Sequence, residues 1–328
     1  MTVISKPSLD PLVVAADLGG THLRVALINK KGKIHSQIKQ QSPKGDSPNC
    51  VVDALMASAR ECGRGAESRI VAASIMVPGT VDKGNAVVVR APNLPCLDNF
   101  ELKAALQQKL GWHVVLENDA NAAAVGEMWL GAARGCRDII CITLGTGVGG
   151  GVILDGKLWR GAQGSAGEIG HTTVEPFGSL KCKCGNTGCL EMFASATAIV
   201  RMAREGLSDF PDSLLAEGDL TAQRVYEVGL EGDQLALEVF KRVGTYLGVG
   251  VANLINLFNP EIIVIGGGVA NGWDLFEKYI HEQVSERAFG SQQANVKIVP
   301  AQCGDNAGLL GAARLAFDEL ESQGSSRS

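Results

Sequence analysis

The sequence predicts an α/β protein built from two similar lobes, and three observations carry that reading. Asp17-Leu18-Gly19-Gly20-Thr21 lies between two strand-like apolar runs, with a Lys31-Gly32 turn beyond the second. Leu144-Gly145-Thr146-Gly147-Val148-Gly149-Gly150 repeats the device in the other half of the chain, with an Asp155-Gly156 turn beyond. Short apolar runs alternate with helical-period segments throughout, as layered α/β folds require. No repeat of shorter period interrupts this degenerate duplication.

The elements come in order. Strands are expected over residues 11–17, 23–29 and 34–39, then a polar loop over 42–48 and a helix capped by Asn49 and running to residue 61. A buried strand over 69–77 ends at Pro78-Gly79, and another spans 86–90. Phe100, Leu102, Leu106 and Leu110 recur at helical spacing after Asp98; a strand over 112–117 and an Ala-rich helix over 119–130 come next. The second lobe opens with a strand over 138–144 and a returning strand over 151–154, which ends in the Asp155-Gly156 hairpin turn. Residues 161–191 are Gly-rich. From 192 the pattern is helical, including a long segment over 233–258. A strand over 262–265 meets Gly266-Gly267-Gly268, a helix and a strand over 296–300 come after it, and a last helix covers 306–320. The polar tail, 322–328, reads as disordered. The four tryptophans read as core or lobe-interface residues.

Composition narrows the function. The net charge is −5 and no basic run occurs, which disfavours a nucleic-acid partner. Residues 1–9 lack the apolar region of a secretory leader, and no apolar stretch reaches the ~18 residues of a membrane span. Of the nine cysteines, six are scattered and Cys182, Cys184 and Cys189 are clustered. Scattered free thiols with one tight cluster indicate a reducing, cytoplasmic setting and a metal site, not a disulfide framework.

Gly145-Thr-Gly147-Val-Gly149-Gly150 is superficially a dinucleotide fingerprint. That fingerprint needs a helix after the glycines, whereas here a strand comes next. No Gly-Lys-Ser/Thr triplet exists for a Walker A loop. A glycine hairpin tip can nonetheless converge backbone N–H groups on an anion, with Thr21 and Thr146 adding hydroxyls. Two such tips plus Gly266-Gly267-Gly268 point to a nucleotide site; a plain tight hairpin is the competing reading.

Asn118-Asp119 sits where a strand gives way to a helix. Asp119 could be merely the helix N-cap. Alternatively it is a general base at the carboxyl end of a strand, the usual ligand edge of α/β sheets, with the helix N-terminus favouring its charged form. His171, Cys182, Cys184 and Cys189 make a Cys₃His set with all four tetrahedral positions filled by protein, which would make a bound zinc structural. Glu168, His171 and Glu191 can exchange hydrogen bonds with sugar hydroxyls. The other histidines read as surface or packing residues.

These motifs resemble the ROK family of sugar kinases, within the actin-like ATPase superfamily with its two-lobed, ribonuclease H-like fold. The resemblance rests on Asp17 to Thr21, Pro78-Gly79, Pro92-Asn93-Leu94-Pro95, Glu117-Asn118-Asp119-Ala-Asn121, Leu144 to Gly150, Gly161 to His171, the Cys-x-Cys-Gly-x-x-Gly-Cys-x-Glu run ending at Glu191, and Asp305 to Gly311. It implies a small lobe over 11–118, on which the last helix packs, and a large lobe over 119–305 carrying the zinc loop, with a sugar held in the cleft between them. By the family pattern Asn118, Asp119, Glu168, His171 and Glu191 contact the sugar, Gly79 and Asn93 support it, and Asp119 activates the 6-hydroxyl. Asp17 positions Mg²⁺ through water, and Gly19, Gly20, Thr21, Gly145, Thr146, Gly147 and Gly266 to Gly268 bind ATP. The zinc ligands fall on His171, Cys182, Cys184 and Cys189. Cys96 departs from the pattern, because relatives often have an aromatic residue after the Asn-Leu-Pro stretch. The implied activity is ATP-dependent phosphorylation of glucose, with N-acetylmannosamine, N-acetylglucosamine, mannose or fructose as other substrates and polyphosphate as another donor. The family also holds sugar-responsive repressors; the few residues before the first strand are too short for a helix-turn-helix. A homodimer is the simplest assembly.

Overall fold

The computed structural model describes residues 10–82, 87–290 and 295–325. The leader-free reading of residues 1–9, residue 86 of an expected strand and residues 326–328 of the tail lie outside that set. The chain divides into two units: one holds the residues up to Arg134, residues 160–166 and the chain from Asp305, and the other holds Gly135–Trp159 and Gly167–Gly304.

In the first unit, β1 (Leu12–Leu18) is apolar at nearly every position and buried on both faces, as a central strand must be. It pairs antiparallel with β2 (His22–Asn29) and parallel with β4 (Ile70–Val77). Between these lie β3 (Ile34–Gln41), whose alternating exposure marks a sheet edge, and α1 (Pro48–Cys62). A small ribbon of β5 (Thr80–Val81) and β6 (Val88–Arg90) leads to α2 (Leu102–Leu110), β7 (His113–Asn118) and α3 (Asp119–Leu130). β7 pairs parallel with β4, giving the order β3-β2-β1-β4-β7. Leu12, Val14, Ala16 and Leu18 pack with Val51, Leu55, Leu102 and Leu106 of α1 and α2. The alternate positions face the C-terminal helix (Ala307–Ser325), which packs on β1, β4 and α3.

In the second unit, β8 (Ile139–Leu144) and β9 (Val148–Leu154) form a hairpin, extended by β10 (Lys157–Leu158) through a turn with Asp155 and Gly156 both at positive φ. With β11 (Ile262–Gly266) and β12 (Lys297–Pro300) parallel to β8, the order is β10-β9-β8-β11-β12. The first unit's strand order and pairing senses thus recur, as the duplicated glycine turns predict. One face is covered by α4 (Glu191–Ala194), α5 (Ala196–Gly206), α6 (Ala222–Leu230), α7 (Gln234–Phe258) and α8 (Trp273–Arg287), around Phe240 and Phe276. Among the described residues, no helix is long and apolar enough to cross a membrane.

Several expectations are corrected. The break expected at residue 118 falls after Arg134, because α3 lies flat on the C-terminal helix. Gly311 abuts the Ala122 carbonyl and Gly126 the Ala307 carbonyl, so neither has room for a Cβ. Ser47, not Asn49, caps α1, and Pro48 takes the first helical position. Phe100 precedes α2, because Asp98 accepts from the Ala91 N–H instead of capping a helix. β9 begins at Val148, earlier than expected, since Gly149 to Gly151 pair fully with β8 despite their poor strand propensity. The last helix runs on to Ser325. Trp159 is 53% exposed, not part of a core or interface. Gly311→Ala should cost about 1–3 kcal/mol of stability through overpacking against the Ala122 carbonyl; urea unfolding followed by circular dichroism measures it, and an unchanged midpoint would contradict the helix contact.

Candidate functional site

In the first unit the parallel strands β1, β4 and β7 end on one edge of the sheet, and the expected residues come directly after those ends. Gly19, Gly20 and Thr21 form the tip after β1, Gly79 lies just beyond β4, and Asp119 just beyond β7. The buried Ser42 draws the tip taut: its hydroxyl donates to the Gly19 carbonyl and its N–H to the Thr21 carbonyl. Asn93 packs against Gly20, where a Cβ would stand 3.0 Å from that of Asn93. The Asn118 amide donates to the Gly79 carbonyl at 3.1 Å. Thus all eight residues expected at this edge, Asp17 included, gather along it.

Asn118, not Asp119, is the N-cap of α3: its Oδ1 accepts from the N–H groups of Ala120 and Asn121 at 2.9 and 3.1 Å. Asp119 is the first helical residue and is exposed. Asn118 therefore takes the cap position, while Asp119 Oδ1 also accepts from the Ala120 N–H at 2.9 Å, which fixes the carboxylate at the helix start.

Three residues that sequence reasoning missed hold this edge. Arg24 lies opposite Asp17 in the β1–β2 register, bonds its Oδ2 through Nε at 2.9 Å and through Nη2, and donates from Nη1 to the Asp305 carbonyl at 2.7 Å. The equal spacing of residues 17 and 24 about the turn was the available signal. Glu117, buried on β7, accepts from Arg160 of the 160–166 segment, with Nε at 2.7 Å. No local pattern joins residues 117 and 160.

In the second unit β8 and β11 also end together, with Gly266 opposite Thr143. This brings the Gly145-Thr146-Gly147 tip beside Gly266-Gly267-Gly268, and Gly267 packs on the Leu144 backbone. The tip is braced from below. Ala196 donates to the Gly145 carbonyl, the Thr197 hydroxyl to the Thr146 carbonyl, and Glu191 Oε2 accepts from the Val148 N–H at 3.0 Å. Glu191 fits because residue 147 is glycine; a Cβ there would collide with the carboxylate.

The segment before α4 folds around sulfur. The ligand atoms of His171, Cys182, Cys184 and Cys189 all lie within 4.8 Å of one another. Zinc bonds of about 2.3 Å to sulfur and about 2.05 Å to nitrogen imply tetrahedral edges of about 3.8 Å between sulfurs and about 3.6 Å between sulfur and nitrogen. Cys184 and Cys189 Sγ are 3.7 Å apart, and Cys182 Sγ is 3.6 Å from His171 Nδ1. A disulfide would need about 2.05 Å. Burial, aided by the neighbouring thiols, pushes Cys189 up to about 12 and also raises Cys182. The Asn186 N–H holds Cys184 below the usual thiol range. Three thiolates this close need a cation to lie together, so the donor set fits zinc. His171 turns its other nitrogen, Nε2, toward Glu168, 3.9 Å from Oε2.

A model of the ROK family matches residues 13–319. The chain belongs to the ROK family. It is 37% identical to a glucokinase of Thermotoga maritima, over 94% of this chain and 98% of that protein. A xylose repressor of Caldicellulosiruptor bescii is 33% identical over 94% of this chain and 78% of its own length. A ROK family glucokinase from Streptomyces griseus, solved with glucose and AMPPNP, superposes with a TM-score of 0.81 at 37% identity, covering 93% of this chain and 98% of that one. The fold is that of the two-domain actin-like ATPases, as the sequence leads one to expect.

In metal-free protein at neutral pH, Cys184 should be alkylated first of the three clustered cysteines, because a lowered thiol pKa means more thiolate. Equimolar zinc should protect all three. Peptide mass spectrometry reads the order, and equal rates with and without zinc would contradict the cluster.

Proposed function

We propose that the protein is an ATP-dependent hexose kinase that phosphorylates the 6-hydroxyl of glucose, with Asp119 as the base. The position of Asp119 carries the reading: an exposed carboxylate just beyond a strand's carboxyl end, at the first residue of a helix capped by Asn118. The glucokinase relatives, matched over nearly their whole length, support glucose and ATP as the reactants. The repressor relative lines up over less of its own length.

In this reading Asp119 takes the proton of the 6-hydroxyl as its oxygen bonds to the γ-phosphorus. The bond to the β,γ-bridging oxygen breaks and ADP leaves. Backbone N–H groups of Gly19 to Thr21 and Gly145 to Gly147, with the Thr21 and Thr146 hydroxyls, receive the phosphates. Gly266 to Gly268 leave room for the base and ribose. Mg²⁺ bound with the nucleotide would neutralise phosphate charge, and Asp17, whose Oδ2 is held by Arg24, would help to position it.

The sugar is read by Asn118, Glu168, His171 and Glu191, with Gly79 and Asn93 in support. With Nδ1 engaged by a zinc ion, His171 would keep its proton on Nε2 and be a fixed donor beside the Glu168 acceptor. His171, Cys182, Cys184 and Cys189 would hold that ion as a structural brace with no open position. One Glu191 oxygen is committed to the Val148 N–H, which leaves the other for the sugar.

Asp119→Asn should reduce turnover by about 10²–10⁴-fold while glucose affinity, measured by calorimetry, stays close to that of the unaltered protein; near-normal turnover would remove Asp119 as base. Across a panel of hexoses with ATP, glucose should give the highest kcat/KM. A preference for an acetylated amino sugar would overturn the substrate, and no turnover of any sugar would favour a repressor-like binding role.

A further inference from the structure

The segment 160–166 belongs to the first unit although the chain on either side of it belongs to the second. It is a loop closed on itself by the Ala166 N–H donating to the Arg160 carbonyl. Two residues after it comes Glu168. What fastens it is the Arg160 guanidinium, whose Nε and Nη2 both reach Glu117 Oε2, at 2.7 and 2.6 Å.

Glu117 has no slack. Its Oε1 accepts from the Asn118 N–H and from the Asn121 side-chain amide, each at 3.0 Å. The carboxylate therefore accepts three hydrogen bonds, from Arg160 Nε, the Asn118 N–H and the Asn121 amide, and has Arg160 Nη2 in ion-pair contact besides. Its side chain is 5% exposed, so the charge is compensated by these bonds and not by water. Holding the Glu117–Asn118 peptide and Asn121 at the start of α3, and tethering the loop that leads to Glu168, are done by one ion pair.

We infer that Arg160 is a positioning residue for the reaction: through Glu117 it fixes the direction of Asp119 and anchors the approach to the sugar-reading Glu168. A lysine would keep the charge and lose the planar fork that delivers two N–H groups to one oxygen. The inference rests on the reading of Asp119 as base.

The test measures Arg160→Met, Arg160→Lys and Glu117→Gln beside Asp119→Asn, per mole of protein shown to be folded by circular dichroism. Loss of positioning should lower kcat about 10–100-fold and raise the glucose KM, with the ATP KM unchanged. Arg160→Lys should recover part of both losses. Should Arg160→Met fail to fold, Arg160→Lys and Glu117→Gln, which keep most of the volume, carry the measurement. A merely structural pair would lower the melting temperature and leave kcat and glucose KM of the folded fraction within about twofold of the unaltered protein; that result overturns the inference. Full turnover by Asp119→Asn would instead overturn the base, whereas a dead Asp119→Asn with normal Arg160 variants sinks the positioning role alone.

Discussion

Because β1, β4 and β7 run parallel and in register, their carboxyl ends fall on a single edge, and the site of the first unit exists only because of that pairing. Each strand end delivers something different there: a glycine tip, a carbonyl and a carboxylate. β8 and β11 repeat the arrangement with two glycine turns. A parallel sheet leaves the peptide groups beyond its strand ends unpaired by the ladder, so ligands and side chains must satisfy them. Asn118 does so at Gly79 and at the start of α3, and Ser42 does so at the Gly19–Thr21 tip.

Charge is placed in the interior only where it is answered. Glu117 is surrounded by donors, Asp17 faces Arg24, and the three sulfurs of the zinc-type loop share space with an imidazole. The last case differs in kind, because a neutral imidazole cannot balance three thiolates. The burial that raises Cys189 and Cys182 is the same burial that makes a cation the natural partner of the cluster.

Much of this was legible in the residue string. The two glycine turns announced the duplication, since each had to be a hairpin tip with strands on both sides. The cysteine spacing announced the Cys₃His set. Features that depend on long-range pairing were not legible. Arg160 and Glu117 meet through topology alone, and the α3 contact with the C-terminal helix turns on glycines whose role shows only when two helices touch. Local competition hid other details: Ser47 and Asn49 are both good caps, and the proline between them decided the outcome. Asn118 and Asp119 are likewise both good caps, so the spacing left the role of Asp119 undecided.

The close seating of Gly126 and Gly311 binds an early helix to the end of the chain. The first unit begins with the earliest strands, yet one face of its sheet is covered by a helix that follows the second unit in the chain. During synthesis that face must wait, apolar and uncovered, until the whole second unit has emerged from the ribosome. The second unit, contiguous apart from the short 160–166 excursion, has every strand it needs sooner. Closure of the first unit's core thus waits on chain that lies beyond the second unit.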